Sequence, residues 1–220
     1  MKEKRIIIAL VSVLVIGVLM FIGCKIFRSG EEPHPDALRF KAEYERYNGE
    51  LRDNGEPHFV MDISENNMVR YMYFEGFQEL FSSGTGIFFF GLASCPSCRP
   101  AFPIFLEEAY ERGINVYYFY DLRTHREGET PQLAYMMERL HDYLPVNDRD
   151  QNPDDPDFDP EWKRISVPHY FVVRNGEVVF HLMMNRHPLV QAQDFDGLRA
   201  YFVKLFAALR DSDICGITEC

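Results

Sequence analysis

Cys95-Pro96-Ser97-Cys98 places two thiols two residues apart, a spacing suited to thiol–disulfide exchange. The run follows residues 87–90, Ile-Phe-Phe-Phe, a continuous apolar stretch bounded by Gly86 and Gly91 that predicts a strand covered on both faces. A helical stretch to about Arg112, closed by Gly113, comes after it. A cysteine at a helix N-terminus meets unpaired backbone N–H groups and the positive end of the helix dipole, which stabilise the attacking thiolate. On this reading Cys95 attacks a partner disulfide. Cys98, one turn further and more buried, resolves the mixed disulfide or accepts the reverse attack. Pro96 suits a first helical turn, where its missing N–H leaves no bond unmade. Pro96-Ser97 lacks a histidine that would strongly stabilise the thiolate, so the residues leave the direction of transfer open.

Other chemistries fit these residues less well. Cys215 and Cys220 could complete a zinc site with the first pair, but their four-residue spacing is wide for that metal. His181, Met183, Met184 and His187 with the two thiols would suit copper, although a strand and its exit account for the same residues. A structural disulfide closing so small a loop as 95–98 stabilises little. Asp148, Asp150 and Asn152 imitate the start of a calcium loop, yet Pro153 stands where glycine is required and Asp159 where a bidentate glutamate is wanted. No metal is expected, and Cys215 and Cys220 either pair as a tail disulfide, the favoured reading, or relay electrons with Cys98.

The elements that must hold the thiols can be followed along the chain. Leu38, Phe40, Tyr44 and Tyr47 form a helical stripe ending near Asn48-Gly49. Residues 59–63 and 68–74 are β-rich runs around a turn-prone Ser64-Glu65-Asn66-Asn67, and a short helix carries Phe77, Leu80 and Phe81. Residues 115–120 predict a second buried strand, which with 87–90 and the intervening helix makes a right-handed parallel crossover. Residues 130–144 predict a helix with Pro131 in its first turn and Leu133, Met136, Met137 and Leu140 inward. Residues 147–161 hold seven carboxylates, one arginine and three prolines and predict an exposed loop. The runs 170–173 and 178–182 flank Asn175-Gly176, a tight-hairpin signal, and Asp194 can cap a final helix carrying Leu198, Phe202, Leu205 and Phe206.

At the N-terminus, residues 6–23 are an 18-residue run whose only polar side chain is Ser12, preceded by Lys2, Lys4 and Arg5. A helix of that length spans about 27 Å, enough for a bilayer core. The basic flank favours an internal N-terminus, with the globular part outside. Phe21-Ile22-Gly23-Cys24 resembles a bacterial lipobox with Phe21 in place of the usual leucine, so Cys24 is a candidate for lipidation after cleavage. Beyond it the cysteines fall into two close pairs, compatible with an oxidising compartment. The formal charge is −11, and because Lys2, Glu3, Lys4 and Arg5 carry +2, the part beyond residue 23 carries −13. Such a surface repels phosphate and argues against a nucleic-acid partner. The expected organisation is a membrane anchor or lipoprotein signal at 1–28, a linker at 29–36, one domain at 37–210 with an insertion at 122–164, and a cysteine-containing tail at 211–220.

Beyond the two cysteines, the sequence resembles the thioredoxin superfamily. Pro103, five residues after Cys98 and followed by Ile104, matches the kink proline of the family's active-site helix. Val167-Pro168 stands before a strand and hairpin, where the family has its cis-proline opposite the thiols. The ensemble is similar to membrane-tethered bacterial thioredoxin-like proteins of the bacteriocin-transport accessory type. The resemblance implies an α/β fold with a central mixed sheet flanked by helices. It implies a cis bond before Pro168 that exposes the Val167 backbone, beside Cys95, to an extended substrate. The redox-active Cys95–Cys98 disulfide is then the only prosthetic device, and the partners are exported cysteine-containing proteins and a membrane redox protein. Where the family keeps a buried aspartate, six residues before the first cysteine, this chain has Phe89. Asp121, at the end of the following strand, is the candidate for an alternative proton route. His169 is expected to be a partly exposed strand histidine.

Overall fold

A computed structural model of the 220-residue chain describes residues 32–119, 130–146, 163–185 and 187–210. The chain divides into two units, Met1–His34 and Pro35–Cys220, and every element below belongs to the second. In chain order these are α1 (Pro35–Glu45), β1 (Val69–Met72), α2 (Phe74–Ser83), β2 (Gly86–Phe90), α3 (Cys98–Arg112), β3 (Val116–Phe119), α4 (Pro131–Leu140) with a 3₁₀ turn at His141–Tyr143, β4 (His169–Arg174), β5 (Glu177–Met183), α5 (Pro188–Gln191) and α6 (Phe195–Arg210).

The five strands lie in the order β1-β3-β2-β4-β5. β3 runs parallel to both β1 and β2, whereas β4 is antiparallel to β2 and to β5. Two parallel crossovers followed by an antiparallel hairpin and a last helix make a mixed sheet of thioredoxin-like topology, the expected fold class. Side chains alternate across β2 and β4, as the pleat requires. Ile87, Phe89, Tyr170 and Val172 join Phe40, Tyr44 and the inward residues of α3 and α6 in one core. Phe88, Phe90, Phe171 and Val173 join α2 and α4 in the other. Phe88 lies flat on Phe171, with ring centroids 4.8 Å apart.

Local chemistry explains the boundaries. Thr130 caps α4 by accepting the Leu133 N–H at 3.1 Å, Pro131 sits in the first turn, and Gly113 ends α3 in the left-handed conformation. Asn175 and Gly176, at φ 51° and 84°, form the tight β4–β5 turn. Asp194 accepts the Gly197 N–H at 2.9 Å at the head of α6.

Three expectations need correction. Residues 59–63 form no strand: Asn48 bonds both backbone groups of Met61 (2.7 and 2.9 Å), and Glu45 and Lys41 take the N–H and C=O of Ile63 (2.8 and 2.7 Å). Side chains of α1 and the turn after it do there what a neighbouring strand would do. Helix α1 begins at Pro35, so the end of the expected 29–36 linker is helical, and Asp36 accepts the Tyr71 N–H at 3.0 Å. The third concerns His169, which is fully buried because β4 is an inner strand flanked by β2 and β5.

Among the described residues no helix is long and apolar enough to cross a membrane. The run 6–23, Cys24, Asp121, the acidic stretch 147–161 and the Cys215–Cys220 tail lie outside them.

Candidate active site

Strand β2 delivers the chain to Gly91, where any side chain would collide: a Cβ would stand 2.4 Å from the Phe102 ring and 3.0 Å from the Tyr44 hydroxyl. Cys95 follows in a turn closed by its N–H to the Leu92 carbonyl at 3.0 Å. The Cys98 N–H donates to Cys95 Sγ at 3.2 Å, and the Arg99 N–H to the Cys95 carbonyl at 3.3 Å. Cys95 thus occupies the place of a capping side chain on α3, its sulfur accepting an N–H three residues ahead, as serine or aspartate would. Cys95 retains 8% exposure and Cys98 none, and both are thiols.

Pro96 is exposed and Ser97 half-buried at the mouth of the turn, while Pro103 lies inside α3. The Val167–Pro168 bond is cis, and the Cys95 thiol donates to the Val167 carbonyl at 3.8 Å. The fold brings together the Cys-Pro-Ser-Cys turn, the helix it opens and, 72 residues on, the Val167-Pro168 segment that the family resemblance implied beside it.

Phe89 is sealed in rings, with Phe102, Phe105, Tyr118 and Tyr170 at centroid distances of 5.0, 5.2, 5.1 and 5.8 Å. Tyr44 and Tyr170 are fully buried in the same core as the dithiol. Burial pushes both phenols well above their ordinary pKa, and the thiols act on each of them electrostatically.

Sequence reasoning missed Arg99. Its side chain is fully buried, with Nε donating to the Phe59 carbonyl (2.7 Å), Nη1 to the carbonyls of Tyr44 (2.6 Å) and Ala93 (2.9 Å), and Nη2 to Asn48 Oδ1 (2.7 Å). Burial lowers its pKa. An arginine after a Cys-x-x-Cys pair reads as a surface residue, and no local signal shows that acceptors of Tyr44, Asn48 and Phe59 converge on it with the nearby Ala93 carbonyl. Beside the turn lies a cleft of about 740 Å³ lined by Arg46, Tyr47, Leu51, His58, Ser94 and Pro96.

His169 Nε2 meets His181 Nδ1 at 3.1 Å, and burial followed by the His181 charge lowers its pKa to about 3. His187 caps α5, accepting the Leu189 N–H at 3.3 Å, and Met184 is buried. Among the described residues no three His, Cys, Asp or Glu side chains are grouped to hold a metal ion.

No family model and no curated protein matches this chain. Among solved structures it is similar to a protein assigned as an oxidoreductase with a thioredoxin fold, at 17% identity over 57% of this chain and 94% of that one, with a TM-score of 0.37. It is also similar to oxidized thioredoxin O2 from Arabidopsis thaliana, at 14% identity over 64% of this chain and 96% of that one, with a TM-score of 0.36.

Proposed function

We propose that the chain is a thiol–disulfide oxidoreductase, with Cys95 as nucleophile and Cys98 as resolving thiol. It would act on exported cysteine-containing proteins from a domain tethered outside the membrane by residues 1–28, as an uncleaved anchor or through a lipid on Cys24. The observation that carries the reading is the 3.2 Å bond from the Cys98 N–H to Cys95 Sγ at the opening of a fifteen-residue helix. That N–H, with the helix dipole behind it, stabilises the charge a nucleophilic sulfur must carry. The Val167 carbonyl beside the same sulfur suits an extended substrate segment, which would pair there as an added strand.

Replacing Cys98 with serine removes the resolving sulfur, so Cys98→Ser should accumulate mixed disulfides with exported proteins that vanish when Cys95 is also replaced. Absence of trapped species, together with no insulin reduction and no dithiol oxidation by the wild type, would sink the proposal. The reduction potential of the couple assigns direction: a value near about −270 mV marks a reductant and one near about −120 mV an oxidant.

A further inference from the structure

The thiol turn has a wall on one side. Residues 50–58 fold back on themselves through a Leu51–Pro57 bridge, with the Arg52 and Gly55 N–H groups donating to the Glu56 and Arg52 carbonyls, each at 2.8 Å. Arg99 pins the base of this wall from both ends, through the Tyr44 carbonyl and Asn48 before it and the Phe59 carbonyl after it. The wall therefore keeps its place relative to Cys98, the residue next to Arg99. The cleft of about 740 Å³ is lined by this wall and by Ser94 and Pro96, the two chain neighbours of Cys95. Its charges are not equally available. Arg46 lies over the Tyr47 ring at 4.7 Å and donates to that hydroxyl at 2.8 Å, and Arg52 is ion-paired with Glu56. Glu50 and Asp53 also line the cleft; both are exposed, and no hydrogen bond or ion pair engages either carboxylate among the described residues. The −13 carried beyond residue 23 adds to their field rather than opposing it.

We propose that this cleft receives the polypeptide segment carrying the reacting cysteine, and that Glu50 and Asp53 make it favour segments with lysine or arginine beside that cysteine. The inference rests on the oxidoreductase reading and names its substrate class. In the step it serves, the Cys95 thiolate attacks one sulfur of the partner's disulfide. The bond from Cys95 to that sulfur forms, the partner's S–S bond breaks, and the second sulfur leaves as a thiolate that takes a proton from water. A cation beside the attacked cysteine meets the two carboxylates on arrival and keeps them through the exchange, so the gain falls on association rather than on the chemical step. An acidic segment meets repulsion at the same place.

The test uses the full chain with Cys98→Ser, and disulfide-linked homodimers of a short peptide whose single cysteine is flanked either by lysines or by glutamates. Each rate of mixed-disulfide formation is divided by that of the same dimer with free 2-mercaptoethanol, which removes differences in leaving-group pKa. Two exposed ion pairs should make the lysine dimer about tenfold faster than the glutamate dimer at low salt. Adding Glu50→Gln with Asp53→Asn should cut that ratio to about threefold or less. Glu75→Gln with Glu79→Gln makes the same change of charge at a second cleft, on α2, and should leave the ratio near the starting value. A ratio that falls as far with the second pair as with the first assigns the preference to overall charge and overturns the inference. Equal rates for the two dimers overturn it and leave the oxidoreductase reading standing; failure of either dimer to form a mixed disulfide with Cys95 overturns both.

Discussion

Arg99 shows how one side chain sets the frame around the thiols. Its guanidinium satisfies three buried or half-buried backbone carbonyls and shares Asn48 Oδ1 with the Met61 N–H, so truncation takes the arginine donor from three carbonyls while Asn48 Oδ1 keeps the Met61 N–H. At about 1–3 kcal/mol for each buried group left unpaired, less whatever water restores, Arg99→Ala should lose at least about 3 kcal/mol in urea unfolding. Arg99→Lys should recover only part, because an ammonium cannot reproduce the planar fork. A loss under about 1 kcal/mol for the alanine variant would show that the bonds are replaced by solvent. At this scale the sequence was legible where chemistry is local: Cys95, Cys98 and Asp194 stand where their types and spacing place them, whereas Pro168 was legible only through the family resemblance. Arg99, Tyr170 and His169 owe their burial to segments far along the chain, and nothing within a few residues of them announces it.

Strand β2 and helix α3 form the rigid step on which the cysteine turn sits. The aromatic enclosure of Phe89 ties the strand to α3, β3 and β4 at once. Phe89→Ala should therefore cost about 3–5 kcal/mol, measured by denaturant unfolding, with little collapse of the cavity because the surrounding rings belong to separate elements. A cost near 1 kcal/mol would mean that those rings close the gap. Elements with their own start and stop signals were readable in advance: the doubly covered β2, the Gly113 stop, the Asn175-Gly176 hairpin and the capped α6. Residues 59–63 misled because their apolar, β-rich pattern is real, with Met61 and Ile63 buried, while their backbone partners are side chains rather than a strand. Composition reports burial but does not report which groups will satisfy the backbone.

For the whole molecule, the buried histidines couple stability to pH. The folded pKa of His169 is about 3, whereas the unfolded chain titrates near the ordinary value of 6.5. Between those limits the unfolded state binds the extra proton, so this contribution is intact above about pH 6.5 and is lost progressively as pH falls toward 3. Burial lowers His181, and burial with the charges of Arg99 and Arg52 lowers His58, so both act in the same direction. Thermal melts should therefore show wild type losing about 1.4 kcal/mol more per pH unit than His169→Phe below pH 6. Parallel slopes would contradict the assignment. The tie between Arg99 and the segment before β1 also makes that segment an observer of the redox turn. The Met61 amide proton is held by Asn48, and Asn48 is held in turn by Arg99, the residue next to Cys98. Its exchange with deuterated solvent should report openings of the first turn of α3, so that oxidation of the dithiol is followed some 35 residues upstream of the sulfurs.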